Sequence, residues 1–189
     1  EGMFSTNALL DEAGIVHAGS GRNLQEAGAP AFLELAKGRA ALVGAHAPIF
    51  PEHYRLAATA RNGNLGGRAG LNMLNYSETI LVSQEQYDAL LQVRQGFLEY
   101  RDNYDNPRRV ASASPDTGIS IPASSSGRND PRYRVTRGDE TPGTVAYTLN
   151  GNDVGRMLRS IRNARQLGDF VIAAAHIHQS ESVVEFQHL

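Results

Sequence analysis

The sequence predicts an α/β fold, and three observations indicate it. Residues 39–50 and 169–175 are runs of small and β-branched apolar residues without alternation, a pattern typical of strands covered on both faces. Residues 154–164 place apolar side chains at helical spacing immediately before the second run. The order strand, helix, strand over residues 143–175 is that of a sheet flanked by helices.

Composition limits the class of protein. The chain has 189 residues, enough for one domain with a substantial core. Its 18 lysines and arginines nearly balance 20 aspartates and glutamates, so we expect no nucleic-acid partner. Cysteine is absent, which excludes disulfides, thiolate metal ligands and a thiol nucleophile from this chain. No stretch reaches the roughly 18 consecutive apolar residues of a membrane span, and residues 1–10 lack the pattern of a signal peptide.

The first part of the chain predicts short elements. Residues 4–13 carry apolar side chains at helical spacing. Residues 14–19 form a brief β-branched segment, and residues 24–38 predict a weak helix that Pro30 interrupts. After the strand at 39–50, residues 51–75 are rich in Gly, Asn and Arg, which favours a loop.

A clearer helical signal begins at Ser83. Its hydroxyl can accept from the amide of Gln86 while that glutamine reaches back, the pattern of a capping box. The helix predicted behind it carries one apolar stripe, formed by Tyr87, Leu90, Leu91, Phe97 and Leu98. Residues 107–142 are rich in Ser, Pro, Gly and charge, so we expect an exposed insertion that contributes little core. We therefore predict one domain over residues 1–189, with a polar insertion at about 107–142.

The last third predicts a strand, a helix and a central strand. Asn152 or Asp153 can cap the helix, and Gly168 ends it. Residues 169–175 then form the central strand of the sheet. Ligands of open α/β sheets bind at the carboxyl ends of strands, so this strand end is the first place to look for a site.

Two histidines, His176 and His178, follow that strand directly. Neutral imidazole is a good ligand for Zn, Mn or Fe. Residues two apart in a strand lie ~7 Å apart at Cα, so both could bind one metal only if the chain turns there. The alternative is a strand-end histidine whose ring is satisfied by a loop carbonyl.

Two further histidines are weaker candidates. His46 ends the strand at 39–47 and would lie on the same sheet edge as His176 if the two strands are parallel. His17 precedes a glycine-rich turn and could face the same cleft. A packed strand-end residue and a satisfied turn residue are the respective alternatives.

Three segments together resemble a known family: "LLDEAGIVHAGSGRNLQEAGAPAFLELAKGRAALVGA", "GRAGLNML" and "ARQLGDFVIAAAHIHQSE". They are similar to the CapA family of poly-γ-glutamate capsule biosynthesis proteins, within the calcineurin-like metallophosphatase superfamily. The resemblance runs from near the first residue to Glu181. It implies a sandwich of sheets flanked by helices, incomplete in this chain, with divalent metal such as Mn, Zn or Fe at the strand ends.

The resemblance also implies roles for particular residues. His176 occupies the position of a family metal ligand, and His178 follows it in the variant "HIH". Glu181 corresponds to an acidic residue near the site, at an offset one longer than usual. Arg22, in "GSGRN", and Arg68, in "GRAGLN", are the implied substrate contacts, because guanidinium binds anionic groups in bidentate fashion.

On this basis we expect a capsule biosynthesis protein with a metal-dependent, phosphoesterase-like hydrolase site. The expected partners are an anionic polymer or phosphoester substrate, capsule synthase components, and a second chain or copy that completes the fold. The remaining family motifs would lie before Glu1 and after Leu189, so we expect the 189 residues alone to have little hydrolase activity. We also expect an extracytoplasmic or membrane-associated location. A non-catalytic polymer-binding scaffold and an intracellular phosphoesterase are the alternatives.

Overall fold

The computed structural model describes residues 2–48, 51–102, 118–120 and 131–177, with the backbone alone at 51, 52, 54 and 97–102. Two compact units make up the chain: residues 1–76 with 149–189, and residues 77–148. In chain order the elements are α1 Gly2–Glu12, β1 Ser20–Gly21, α2 Leu24–Ala27, β2 Ala31–Leu35, β3 Gly38–His46, a 3-10 helix Pro51–Leu56, β4 Gly70–Leu71, β5 Tyr76–Val82, α3 Gln84–Asp102, β6 Ile119–Ser120, β7 Arg132–Val135, β8 Val145–Leu149, α4 Gly151–Leu167 and β9 Phe170–His176. The α/β class is therefore confirmed.

The first unit is built on a three-stranded sheet of order β2-β3-β9. β2 is antiparallel to β3, and β3 is parallel to β9. Helix α4 connects the second unit to β9 and packs its apolar stripe against the sheet, as the helical spacing predicts. The core between them consists of Ala41, Val43, Ala45, Leu74, Met157 and Ala164.

Strand β2 corrects the prediction of a weak helix over residues 24–38. Only α2 is helical there, with Asn23 as its N-cap accepting from the Glu26 amide at 3.0 Å. Ala31–Leu35 instead pairs with β3 through the tight connection before Gly38. Pro30 stops the helix, and pairing along the whole of β3 outweighs the modest helix preference of the segment. The β-branched segment at residues 14–19 forms no strand.

Strand β3 is covered less completely than its composition predicts. Buried residues alternate along it, with Ala41, Val43 and Ala45 facing α4. The residues between them are half-buried, so one face is sealed by the helix and the other only partly. The strand ends at His46 rather than continuing to residue 50.

The prediction that residues 169–175 form a central strand is wrong for the sheet that the described residues form. β9 is an edge strand there, and most of its residues are exposed, including Phe170 at 63% and Ile172 at 48%. On its α4 side β9 borders an apolar groove of about 340 Å³. A continuous apolar run therefore indicates that a strand can be buried. It does not show whether the strand is central or at the edge of the sheet.

The caps of α4 also differ from expectation. Asn150, and not Asn152 or Asp153, is the N-cap: its side chain accepts from the amides of both these residues, at 3.0 and 3.2 Å. Asp153 is buried and instead accepts from the backbone amide of Asn75 at 3.0 Å. Gly168 follows the last helical residue, as predicted.

The second unit contains a four-stranded sheet of order β6-β7-β5-β8 and helix α3. The capping box is confirmed, since the Gln86 amide donates to Ser83 Oγ at 3.2 Å and the Ser83 amide to Gln86 Oε1 at 2.9 Å. The expected polar insertion lies partly outside the described residues. Its described part contributes more core than predicted, because Ile119 is only 2% exposed and packs with Val82 and Tyr87.

Candidate functional site

The carboxyl ends of β3 and β9 bring two histidines together. The strands are parallel and in register from Ala40 opposite Phe170 to His46 opposite His176. The two rings are stacked, with centroids 5.4 Å apart and planes inclined by 18°. The conditional placement of His46 beside His176 is thus confirmed, because the strands are parallel.

A third histidine reaches this edge from the 3-10 helix. His53 Nδ1 lies 3.4 Å from His46 Nε2, and the ring centroids are 5.5 Å apart. We call His46, His53 and His176 the histidine edge. His53 was not among the predicted residues, since it stands in a Gly- and Asn-rich stretch without periodicity. Only the path of the chain after β3 brings it to His46.

The "GRAGLN" segment supports the histidine edge from one side. The backbone amide of His46 donates to the Asn72 carbonyl at 2.9 Å, and the Leu74 amide donates to the His46 carbonyl at 2.9 Å. The buried Asn72 side chain donates to the Gly44 carbonyl at 2.8 Å and accepts from Arg156 Nε at 3.0 Å. Asn72 therefore ties the end of β3 to α4 and positions His46, a role the sequence did not indicate.

Arg68 lies in the same segment, but its side chain is hydrogen-bonded to a backbone carbonyl. Its Nε and Nη2 donate to the Ala57 carbonyl at 3.2 and 2.9 Å, and its own amide donates to Thr59 Oγ1 at 2.6 Å. A side chain on Gly70 would place its Cβ against the Leu56 carbonyl oxygen, so the backbones approach closely here. These contacts give Arg68 a structural role in the turn, and its role toward substrate stays a prediction.

Arg22 lines a different cavity of the first unit, of about 600 Å³. The cavity is also lined by polar residues of α1, of α2 and of the segment between them, among them Asn7, Asp11, His17, Ser20 and Glu26. His17 Nε2 lies 3.0 Å from Asp11 Oδ1, so His17 has a local partner near the end of α1. The Arg22 backbone amide donates to Glu26 at 3.0 Å and lowers the pKa of that carboxyl, which favours its charged form.

The match to a protein-family model shows which family the chain belongs to. The model of the bacterial capsule synthesis protein family, PGA_cap, matches residues 1–184. The chain belongs to this family. The resemblance inferred from the three sequence segments is thereby confirmed.

Two curated relatives of the chain come from Sinorhizobium fredii (strain NBRC 101917 / NGR234). They are the uncharacterized proteins y4sH and y4uA, each 29% identical over 196 residues and matching 99% of this chain. The match covers 36% of each relative, so the chain spans about a third of their length. Within the described residues, no helix is long and apolar enough to cross a bilayer.

The histidine edge partly meets the needs of a divalent metal. Imidazole nitrogen is the right donor, and three rings come together where the strands end. Across residues 2–48, 51–102, 118–120 and 131–177, however, no three His, Asp or Glu side chains are already arranged to hold an ion. His178 and Glu181 lie outside the described residues. The donor chemistry of imidazole therefore fits a divalent metal, but the described residues form no preformed site for one.

Proposed function

We propose that the whole protein is a metal-dependent hydrolase of capsule synthesis that acts on an anionic polymer, such as poly-γ-glutamate, or on a phosphoester. The observation that carries the proposal is the register of β3 and β9, which places His46 and His176 side by side at the carboxyl edge of a parallel strand pair. Membership of the capsule synthesis family supports the same setting. Action outside the cytoplasm with synthase partners, and completion of the site by a second chain or copy, belong to this proposal.

Particular residues would do particular work in such a site. His176 would hold the metal, with His178 as a further ligand and Glu181 as a nearby acid. A divalent metal, when bound, acts as a Lewis acid and lowers the pKa of water. Arg22 and Arg68 would hold anionic groups of the substrate, Arg22 at the cavity that it lines.

A non-catalytic scaffold is the second candidate. It is favoured by one observation: the described parts of the chain contain no preformed group of three metal-holding side chains. Such a protein would hold capsule polymer through its arginines without hydrolysing it. Polymer binding that a chelator leaves intact would distinguish it from the hydrolase.

The decisive experiment uses the whole protein, purified and analysed for metal by mass spectrometry. We expect bound Mn, Zn or Fe, hydrolysis of a phosphodiester or of poly-γ-glutamate, and loss of both after chelation. His176→Ala should lower metal content and activity together, since each ligand fixes the ion's geometry. His17→Ala is the control for metal content, because His17 pairs locally with Asp11. Unchanged metal content in His176→Ala would contradict the proposal.

A further inference from the structure

We propose that the exposed side of helix α4 is a docking surface for a polycarboxylate chain, which Arg159, Arg162 and Arg165 bind. We call these three residues the arginine row. The inference deepens the proposed function, on which it rests for the nature of the polymer. It adds a polymer contact on a different element from the histidine edge.

The three arginines recur at every third position, from the middle of α4 to its last turn. Residues three apart on a helix are surface neighbours, and each such step rises about 4.5 Å along the axis. All three residues are exposed. The apolar stripe of the same helix, which includes Met157 and Ala164, is packed in the core. The arginine row therefore runs along the part of the helix surface that is left to solvent.

Within the described residues, no carboxylate forms an ion pair with the arginine row. Asp153 is the one acid in α4, and it is buried. Its carboxylate accepts from Arg156 Nη1 at 2.8 Å and from Asn75 Nδ2 at 2.6 Å. Asp169 follows the helix, and its carboxylate accepts from the Arg39 amide at 2.9 Å. Both nearby acids are thus held by other partners.

Other arginines show that ion pairing is common in the described part of this chain. Four of them pair with a carboxylate: Arg39 with Glu34, Arg61 with Glu26, Arg134 with Glu140 and Arg156 with Asp153. In the arginine row, Arg165 donates one long hydrogen bond, of 3.5 Å, to the Gly168 carbonyl. The guanidinium groups of the row therefore keep most of their donors for a ligand from solution.

Helix stability explains only part of the arginine row. The helix dipole favours cations in the last turn, which applies to Arg165. Arg159 and Arg162 lie before that turn, and like charges on neighbouring positions of a helix disfavour it. The whole chain has a formal net charge of −2 at pH 7, so the row is a local basic surface and not part of a general basic excess.

A polymer with a carboxylate on each repeat fits this surface. Guanidinium binds carboxylate in bidentate fashion. A single exposed ion pair is weak, but the contacts of one connected chain add together, so a row favours an extended polymer over a small anion. An anionic membrane fits less well, because the apolar face of α4 packs against the sheet and is not available for insertion.

The test is titration of the 189-residue chain with fluorescently labelled poly-γ-glutamate, with a chelator present to prevent metal-dependent hydrolysis. We expect the double variant Arg159→Gln, Arg162→Gln to weaken binding about tenfold and each single variant about threefold, because exposed ion pairs contribute modestly and additively. The matched control is Arg39→Gln, Arg61→Gln, which removes the same charge from arginines that are already paired. The control should bind the polymer nearly as the unsubstituted chain does.

Circular dichroism checks the fold of each variant, and glutamine keeps α4 intact because its helix propensity is close to that of arginine. Three results would overturn the docking surface: equal affinity in the Arg159, Arg162 variant and the unsubstituted chain, an equal loss in the control, or no polymer binding at all. Binding to duplex DNA or to phosphatidylglycerol vesicles as tight as to the polymer would overturn the polycarboxylate as its occupant.

Hydrolysis is assayed separately in the whole protein, so that the two proposals can fail independently. Polymer binding without turnover would contradict the hydrolase alone. Turnover together with unchanged polymer binding in the Arg159→Gln, Arg162→Gln variant would contradict the docking surface alone.

Discussion

Strands β3 and β9 lie side by side with similar compositions, yet their surroundings differ. Both consist mainly of small and β-branched apolar residues, and both end in a histidine at the same register position. β3 has neighbours on both edges and alternates buried with half-buried residues. β9 has one neighbour in the described sheet and is mostly exposed.

The difference shows that apolar composition and burial are separate properties. A run such as "FVIAAA" has the capacity to be covered, but the packing partners decide whether it is. The two histidines differ in the same way: His46 is half-buried and His176 is exposed. The edge therefore combines a histidine held by the core with one that lies open to solvent.

The largest difference in stability is expected when the side chain is enlarged at one of two facing residues, one on β3 and one on β9. Gly44 lies opposite Ala174, and a Cβ on Gly44 would lie 2.8 Å from the Ala18 carbonyl oxygen. Gly44→Val should lower the free energy of unfolding by about 3 kcal/mol, because backbone atoms cannot move aside cheaply. Ala174→Val should stay within about 0.5 kcal/mol in urea unfolding. Equal losses would mean that the two strands are equally enclosed.

A smaller contrast is expected from removing bulk. Val43 is fully buried and Ile172 is 48% exposed. Val43→Ala should cost about 2 kcal/mol of unfolding free energy through lost burial and a residual cavity. Ile172→Ala removes more atoms but should cost under about 1 kcal/mol, because those atoms are largely in water already. The reverse ranking in thermal or urea unfolding would contradict the assignment of β9 as the open strand.

The smallest effect is expected at the start of the strand pair. Asp169 Oδ2 accepts from the Arg39 amide at 2.9 Å, and the Asp169 amide donates to the Arg39 carbonyl at 2.8 Å. Asp169→Ala removes the first of these bonds and should cost about 1 kcal/mol, with faster hydrogen exchange at the Arg39 amide. Asp169→Asn keeps an acceptor oxygen and should restore slow exchange. Unchanged exchange in Asp169→Ala would show that the side chain does not hold β9 to β3.

Local signals were predicted best, for a physical reason. The capping box of Ser83 and Gln86 needs only residues three apart, and its two hydrogen bonds are formed. The N-cap of α4 was misplaced because Asn150, Asn152 and Asp153 are all good capping residues within four positions. β2 was missed because its pairing with β3, and not its own helix preference, determines its conformation.

The sequence by itself determined the α/β class, the capsule synthesis family and the position of a histidine at the end of an apolar strand. These rest on local periodicity and on recognisable segments, which do not depend on the path of the chain. The tertiary structure alone decided that β9 lies at the edge of the sheet that the described residues form, that Asn72 ties the end of β3 to α4, and that His53 meets His46. Those features join residues from separate parts of the chain, so they arise only when strand pairing and helix packing bring these parts together.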